Sequence, residues 1–143
     1  MLGAMSTRND VPDATDLPDL GALMPLARVL GIRATALHHD GVSASMAWRD
    51  ELCTADGILH GGTLMAFADT VGATAAFLRL PEGATTTTVS SNTSFLAAVR
   101  DGTITARAFV EHTGRRFITV RTEVRDATDR LVSVTIQTQA VLA

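Results

Sequence analysis

Between Gly57 and Leu78 only two side chains can ionise, His60 and Asp69, and they stand in an otherwise apolar or small-residue stretch, LHGGTLMAFADTVGATAAF, from Leu59 to Phe77. Burying an aspartate in such surroundings costs on the order of several kcal/mol unless it is hydrogen-bonded or paired. Two uses fit. One is structural, an Asp bonded to Ser or Thr across an interface. The other is chemical, a general base or nucleophile. Gly61 and Gly62 open the same stretch. They remove side chains where a ligand could approach the backbone, and ILHGG offers no Ser, Thr, Asp or Asn at the N-cap position. The first N–H groups of the helix are therefore expected to lack a side-chain partner. Such groups polarise a carbonyl and stabilise an oxyanion. Tight-turn geometry is the alternative use of the glycine pair.

Gly61 and Asp69 are eight residues apart, which is about 12 Å along a helix. One reacting carbonyl cannot touch both from the same chain. Two antiparallel helices related by a two-fold axis would bring Gly61 of one protomer near Asp69 of the other, giving two shared sites per dimer.

The elements that must position these residues follow from periodicity. At about 100° per residue, Leu64, Phe67, Val71 and Leu78 form one face of the helix. Asp69 lies nearly opposite, among Gly62, Met65, Ala66, Gly72, Ala73 and Ala76. A polar face is missing, so the helix is expected to be buried on both sides, the second by another protomer, a ligand or both. It should end near Leu80, with Pro81 and Gly83 as stop signals. Upstream, GALMPLARVLGI (Gly21 to Ile32) has the pattern of a short amphipathic helix ending at Gly31. IRATALHH and VSASMAW are strands around an HDG turn, with Val42, Ala44, Met46 and Trp48 alternating, and RDELCTADGILH is a loop. Downstream, TTTTVSSNTSFL, TITARAFVEH, RFITVRTEVRD and RLVSVTIQTQAVL are strands. Their short separators RDG, HTG and DATD imply hairpins and an antiparallel sheet. Ile118, Val120 and Val124 should face the core, with Arg121, Glu123 and Arg125 outward. In the last strand Val132, Val134, Ile136, Ala140 and Leu142 are expected on the core face. The architecture is α+β, one central helix and an antiparallel sheet with one apolar face.

The chain of 143 residues fits one domain. Residues 1–20 are expected to be a flexible lead-in and 21–143 the domain. MLGAMSTRNDVPDATDLPDLG collects aspartates and has no continuous apolar segment, so it does not resemble a signal peptide. No apolar run has the length of a bilayer span, which argues against a membrane partner. The net charge of −3 argues against general nucleic-acid binding. Cys53 is the single cysteine, which excludes an intramolecular disulfide and is compatible with a cytoplasmic location. His38 and His39 stand beside Asp40, but adjacent strand residues point to opposite faces and cannot chelate one metal together. Every basic side chain is Arg, and seven of the twelve lie between Arg100 and Arg130, against five acids there. Solvated strand faces account for most. A phosphate-bearing ligand is the competing reading for a subset.

His60-Gly61-Gly62, six further residues and Asp69 on a helix, followed by antiparallel strands, resembles the hotdog-fold acyl-CoA thioesterases, in particular their phenylacetate-pathway (PaaI-like) branch. NTSFLAAV (92–99) and HTGRR (112–116) are also similar to that family, over residues 22–142 in all. The resemblance implies a hotdog fold, five to six antiparallel strands wrapped around one long central helix. It implies dimers joined sheet edge to sheet edge, often paired into tetramers. It implies hydrolysis of an acyl-CoA thioester to free acid and CoA, with no metal or redox cofactor, coenzyme A being part of the substrate. By the same resemblance Asp69 is the catalytic carboxylate, a base toward water or a nucleophile forming an anhydride, and the Gly61 N–H polarises the thioester carbonyl. His60 shapes the helix entry, Gly62 adjoins the substrate, and Thr88 orients the attacking water. Arg100, Arg115 and Arg116 are the candidates for the nucleotide phosphates. Two positions depart from the pattern. Thr54 stands where many active members carry Asn or Gln to hold the acyl carbonyl, and Ala97-Ala98 replaces Arg-Pro, with Arg100 available as a displaced charge. The departure at Thr54 keeps open a non-catalytic acyl-CoA binder. A hydratase or dehydratase of acyl thioesters is the other alternative, one that uses a different His/acid spacing.

Overall fold

The computed structural model describes residues 17–143. Most of the expected lead-in, residues 1–16, lies outside the described residues, and Leu20, at its expected end, is buried in the core. Two short helices come first, α1 Leu20–Leu23 and α2 Pro25–Leu30. A single helix over Gly21–Ile32 was the expectation, and Pro25 breaks it. Its ring forces Met24 into an extended conformation (φ −130°, ψ 111°), and Pro25 itself then occupies the first turn of α2, where a missing N–H costs nothing. Gly31, at φ 72°, closes α2 in the left-handed conformation as its position suggested.

The hairpin β1 Arg33–His38 and β2 Gly41–Ala47 follows. A 3-10 turn at Asp50–Leu52 leads into the long helix α3, Gly61–Phe77. Beyond Phe77 the chain continues to Leu80 as hydrogen-bonded turns, not as helix. The remaining strands are β3 Thr85–Phe95, β4 Thr103–Thr113, β5 Phe117–Arg125 and β6 Leu131–Leu142. All six form one antiparallel sheet in the order β1-β2-β4-β5-β6-β3, with α3 packed against it. This is the hotdog arrangement. Leu64, Phe67 and Val71 of α3 meet Val42, Ala44, Met46, Ile118, Val120 and Val124 in a single core. No helix among the described residues is long and apolar enough to cross a membrane.

Two strand expectations are corrected. β3 does not form a hairpin with β4. It pairs with β6 at the sheet edge, while β4 pairs with β2. The RDG turn is only the end of a crossover that is pinned at buried Val99, whose carbonyl accepts from Leu59 N–H at 2.9 Å. The second correction is the face of β6. Thr135, Gln137 and Gln139 are buried, whereas Ile136 and Leu142 are 44% and 47% exposed. Of the five residues expected on the core face, Val132 is fully buried, and Val134, Ile136, Ala140 and Leu142 are not. A one-residue change of phase moves every side chain to the other face. Here the polar phase faces the helix because it meets Asp69, and the apolar phase lies outside, beside Phe117, which pairs with Ala140.

Most of the arginines between Arg100 and Arg130 are ion-paired, three on the outer sheet face and one in the β5–β6 turn. Arg121 pairs with Glu111 and Glu123, Arg125 with Glu123, Arg107 with Asp40, and Arg130 with Asp126. Arg107 and Arg121 also flank the Phe109 ring, at 4.6 and 4.5 Å from its centre. Arg100, Arg115 and Arg116 form no ion pair with the described residues.

Asp126 fixes the β5–β6 turn. The Thr128 hydroxyl, then the Arg130 and Thr128 backbone N–H groups and the Arg130 guanidinium, hold its carboxyl down to about 2 from an ordinary 3.8. A depressed carboxylate stabilises the fold above its unfolded value and loses that contribution as pH falls through the folded one. Asp126→Asn should therefore lower Tm at neutral pH. The difference from wild type should shrink below about 3.8 and vanish as pH passes about 2, measured by thermal unfolding across the acid range.

Candidate active site

His60 starts α3. Its backbone is extended (φ −62°, ψ 137°), and its Nδ1 accepts the Gly62 N–H at 2.8 Å. The expectation of an uncapped helix start is thus corrected, since histidine supplies the cap that the usual residues would give. A neutral imidazole in this bond carries its hydrogen on Nε2. A side chain at Gly62 would press on the ring, its Cβ falling 3.0 Å from Nδ1. The Thr63 and Leu64 N–H groups both reach the His60 carbonyl, and His60 N–H donates to Leu52 O at 3.0 Å. What remains is the Gly61 N–H, which has no partner among the described residues.

That N–H opens beside an apolar cleft of about 390 Å³, lined by Thr54, Ile58, Gly61, Leu64, Phe95 and Ala98 among others. The Phe95 ring lies over Gly61, 3.2 Å from where a Cβ would stand. Thr54 is exposed at the rim. Its hydroxyl accepts a long 3.4 Å bond from the Asp56 N–H, leaving its own hydrogen free to donate.

Asp69 is half-buried about two turns further along α3. Its Oδ1 accepts from Thr88 Oγ1 at 2.7 Å and from Gln137 Nε2 at 2.8 Å. Its Oδ2 accepts from no described residue. Exposed Gly62 and Met65 share its side of the helix, so this stripe is the part of α3 that the sheet leaves open. Thr88 and Phe95 face the same helix although one is even-numbered and the other odd. The bulge between Thr88 and Ser90 in β3 adds the residue that shifts the phase.

The sequence candidates therefore fall into groups. Thr54, His60, Gly61 and Gly62 gather at the N-terminus of α3. Arg100 is close by and braces the loop by donating to the Asp56 carbonyl at 3.1 Å. Asp69 and Thr88 meet each other but do not share the cleft of Gly61. Arg115 and Arg116 are exposed in the β4–β5 turn, at the end of the sheet where Phe117 and Thr87 both pair with Ala140. Gln137, Gln139 and Phe95 were not among the candidates. The signal for the glutamines was the period-two run Ser133, Thr135, Gln137, Gln139, together with a glycine, Gly72, on the helix stripe opposite.

Chemically, the arrangement offers a backbone donor in an apolar cleft and a carboxylate with one oxygen held and the other open. The thioesterase superfamily model matches residues 56–133. A Haemophilus influenzae protein that carries an esterase name is 34% identical over 113 residues, 79% of this chain and 82% of that protein. The crystal structure of a Haemophilus influenzae thioesterase superimposes with a TM-score of 0.84 at 30% identity, covering 92% of this chain and 94% of that one. A phenylacetic acid degradation-related protein of Ralstonia eutropha gives a TM-score of 0.78 at 27% identity, covering 82% and 89%. The chain belongs to the hotdog-fold thioesterase superfamily, and thioester hydrolysis is its class of reaction.

Proposed function

We propose that the chain hydrolyses acyl-CoA thioesters in a site assembled from two protomers. The observation that carries this reading is the pair of unfilled groups on α3, the Gly61 N–H and Asp69 Oδ2. Each is open to a reacting molecule, and they are too far apart on one helix to serve the same carbonyl. A second copy whose α3 runs antiparallel to the first joins Gly61 of one chain to Asp69 of the other. The β3 edge, with no strand beyond it among the described residues, offers the sheet-to-sheet contact. In this mechanism Asp69 Oδ2 takes a proton from water as the water oxygen attacks the thioester carbon. The Gly61 N–H holds the oxyanion. Collapse breaks the C–S bond, and the proton passes to the departing CoA thiolate, leaving the free acid. Arg115 and Arg116, exposed and unpaired with the described residues, are the groups to meet CoA phosphates, and Arg100 acts mainly as a loop brace. The test is thiol release over a panel of short, long and aryl acyl-CoAs. Turnover of at least one supports the reading, and binding without turnover of any would identify an acyl-CoA binder instead.

Thr54 sharpens that test. If its free hydroxyl hydrogen holds the thioester carbonyl, Thr54→Val should lower kcat/KM about 2- to 12-fold, the worth of a neutral hydrogen bond. Thr54→Asn should preserve or raise kcat. Steady-state kinetics on one acyl-CoA decides, and an unchanged Thr54→Val would leave Gly61 as the sole carbonyl contact.

A further inference from the structure

Gln137 and Gln139 are buried in β6, at 1% and 0% exposure, on the face where a strand packed under a helix ordinarily carries valine or isoleucine. Their amides converge on one target. Gln137 Nε2 donates to Asp69 Oδ1 at 2.8 Å. Gln139 Nε2 donates to Thr88 Oγ1 at 2.6 Å, and Thr88, with that lone pair occupied, gives its single hydrogen to the same Oδ1 at 2.7 Å. The Thr86 hydroxyl, which donates to the Ala140 carbonyl at 2.9 Å, also lies 3.2 Å from Gln139 Oε1. The helix makes room for this. A Cβ at Gly72 would fall 1.8 Å from Gln137 Oε1, so any other residue there displaces the amide. Gln137 Oε1 itself is buried without a partner among the described residues. An apolar side chain would avoid that cost, so stability does not explain the glutamine.

We infer that Gln137 and Gln139 are positioning residues of the hydrolytic site. They pin Asp69 through Oδ1, directly and through Thr88, and so present Oδ2 alone to the reacting water. This rests on the reading of Asp69 as the catalytic base. An aspartate on a helix turns freely about two side-chain torsions, and donors from two different strands on the same oxygen remove that freedom. A misplacement of about 1 Å can cost on the order of 10²-fold in rate, so the restraint matters to kcat. It also assigns Thr88 a different duty from holding the water, since its hydrogen is already committed to the carboxylate.

The experiment uses the full chain and its best acyl-CoA, with kcat, KM and Tm measured for each variant. Gln137→Met keeps the volume and removes the donor. It should lower kcat about 10- to 100-fold, the worth of one hydrogen bond to a charged group, with KM within about twofold. Gln139→Leu, acting only through Thr88, should lower kcat about 3- to 10-fold. Gln137→Ala should lower kcat like the Met variant and also lower Tm. Adding Gly72→Ala puts a methyl group into the vacated space, so the double variant should regain Tm and keep the low kcat. Recovery of kcat together with Tm would show that Gln137 only fills space and would overturn the proposal. So would wild-type turnover in Gln137→Met while Asp69→Asn is inactive. Wild-type turnover in Asp69→Asn would overturn the hydrolytic reading of Asp69 itself, and the positioning role with it.

Discussion

Asp69→Asn is expected to lower kcat by about 10²–10⁴-fold and to leave the fold intact. The geometry favours a clean experiment. Both hydrogen bonds to this side chain arrive at Oδ1, from Thr88 and Gln137, and an asparagine oxygen accepts both in the same place. Its amide nitrogen then falls at the Oδ2 position, where no described residue donates a hydrogen and none is repelled. The variant loses the base and keeps its neighbours. The check is kcat on the best acyl-CoA beside a thermal unfolding curve. A folded variant that turns over at the wild-type rate would give Asp69 a structural role.

Gly61→Pro should lower kcat by about 10²–10³-fold, the usual loss when one oxyanion donor is removed. Proline is at home in the first helical position, where its missing N–H has no intrahelical partner to lose. The preceding residue also suits it, because His60 is already extended. The substitution thus deletes the one N–H that the site is proposed to use and keeps α3. Its Cβ approaches Phe95, which must give by a few tenths of an ångström. Gly61→Ala is the control, since it brings a similar Cβ against Phe95 and retains the N–H. A large ratio between the two variants assigns the loss to the donor. Equal losses would assign it to crowding at Phe95.

The helix, its first residues and its aspartate were legible because each breaks a local rule in a visible way. A charge interrupts an apolar helix, and two glycines open it where a cap is due. The strands β2 and β5 were legible because apolar side chains alternate there and do face the core. β6 misled for a physical reason. Alternation identifies a strand and its two faces, and the inward choice was made on hydrophobicity. Gln137 and Gln139 reverse that choice because their partners, Asp69 on α3 and Thr88 on β3, lie far away in sequence. β3 misled because consecutive strands are commonly hairpin neighbours, and nothing local reports a crossover pinned by one valine. The His60 cap escaped because histidine is not among the side chains expected at a helix N-terminus. Thr88 entered through family resemblance, whereas the glutamine that orients it required the register between β3 and β6. The arginine excess suggested phosphate binding, and most of it resolves into ion pairs on the sheet face and in the β5–β6 turn.

The shared site itself is tested most directly by mixing subunits. Asp69→Asn and Gly61→Pro chains, each carrying a different tag, are co-expressed and the doubly tagged oligomer is purified. If the two residues act on one carbonyl from different protomers, a mixed dimer holds one site with both lesions and one with neither. A random equal mixture should then recover about one quarter of wild-type turnover, and the purified mixed dimer about half. Turnover that stays at the level of the two parent variants would contradict a site built from Gly61 of one chain and Asp69 of its partner.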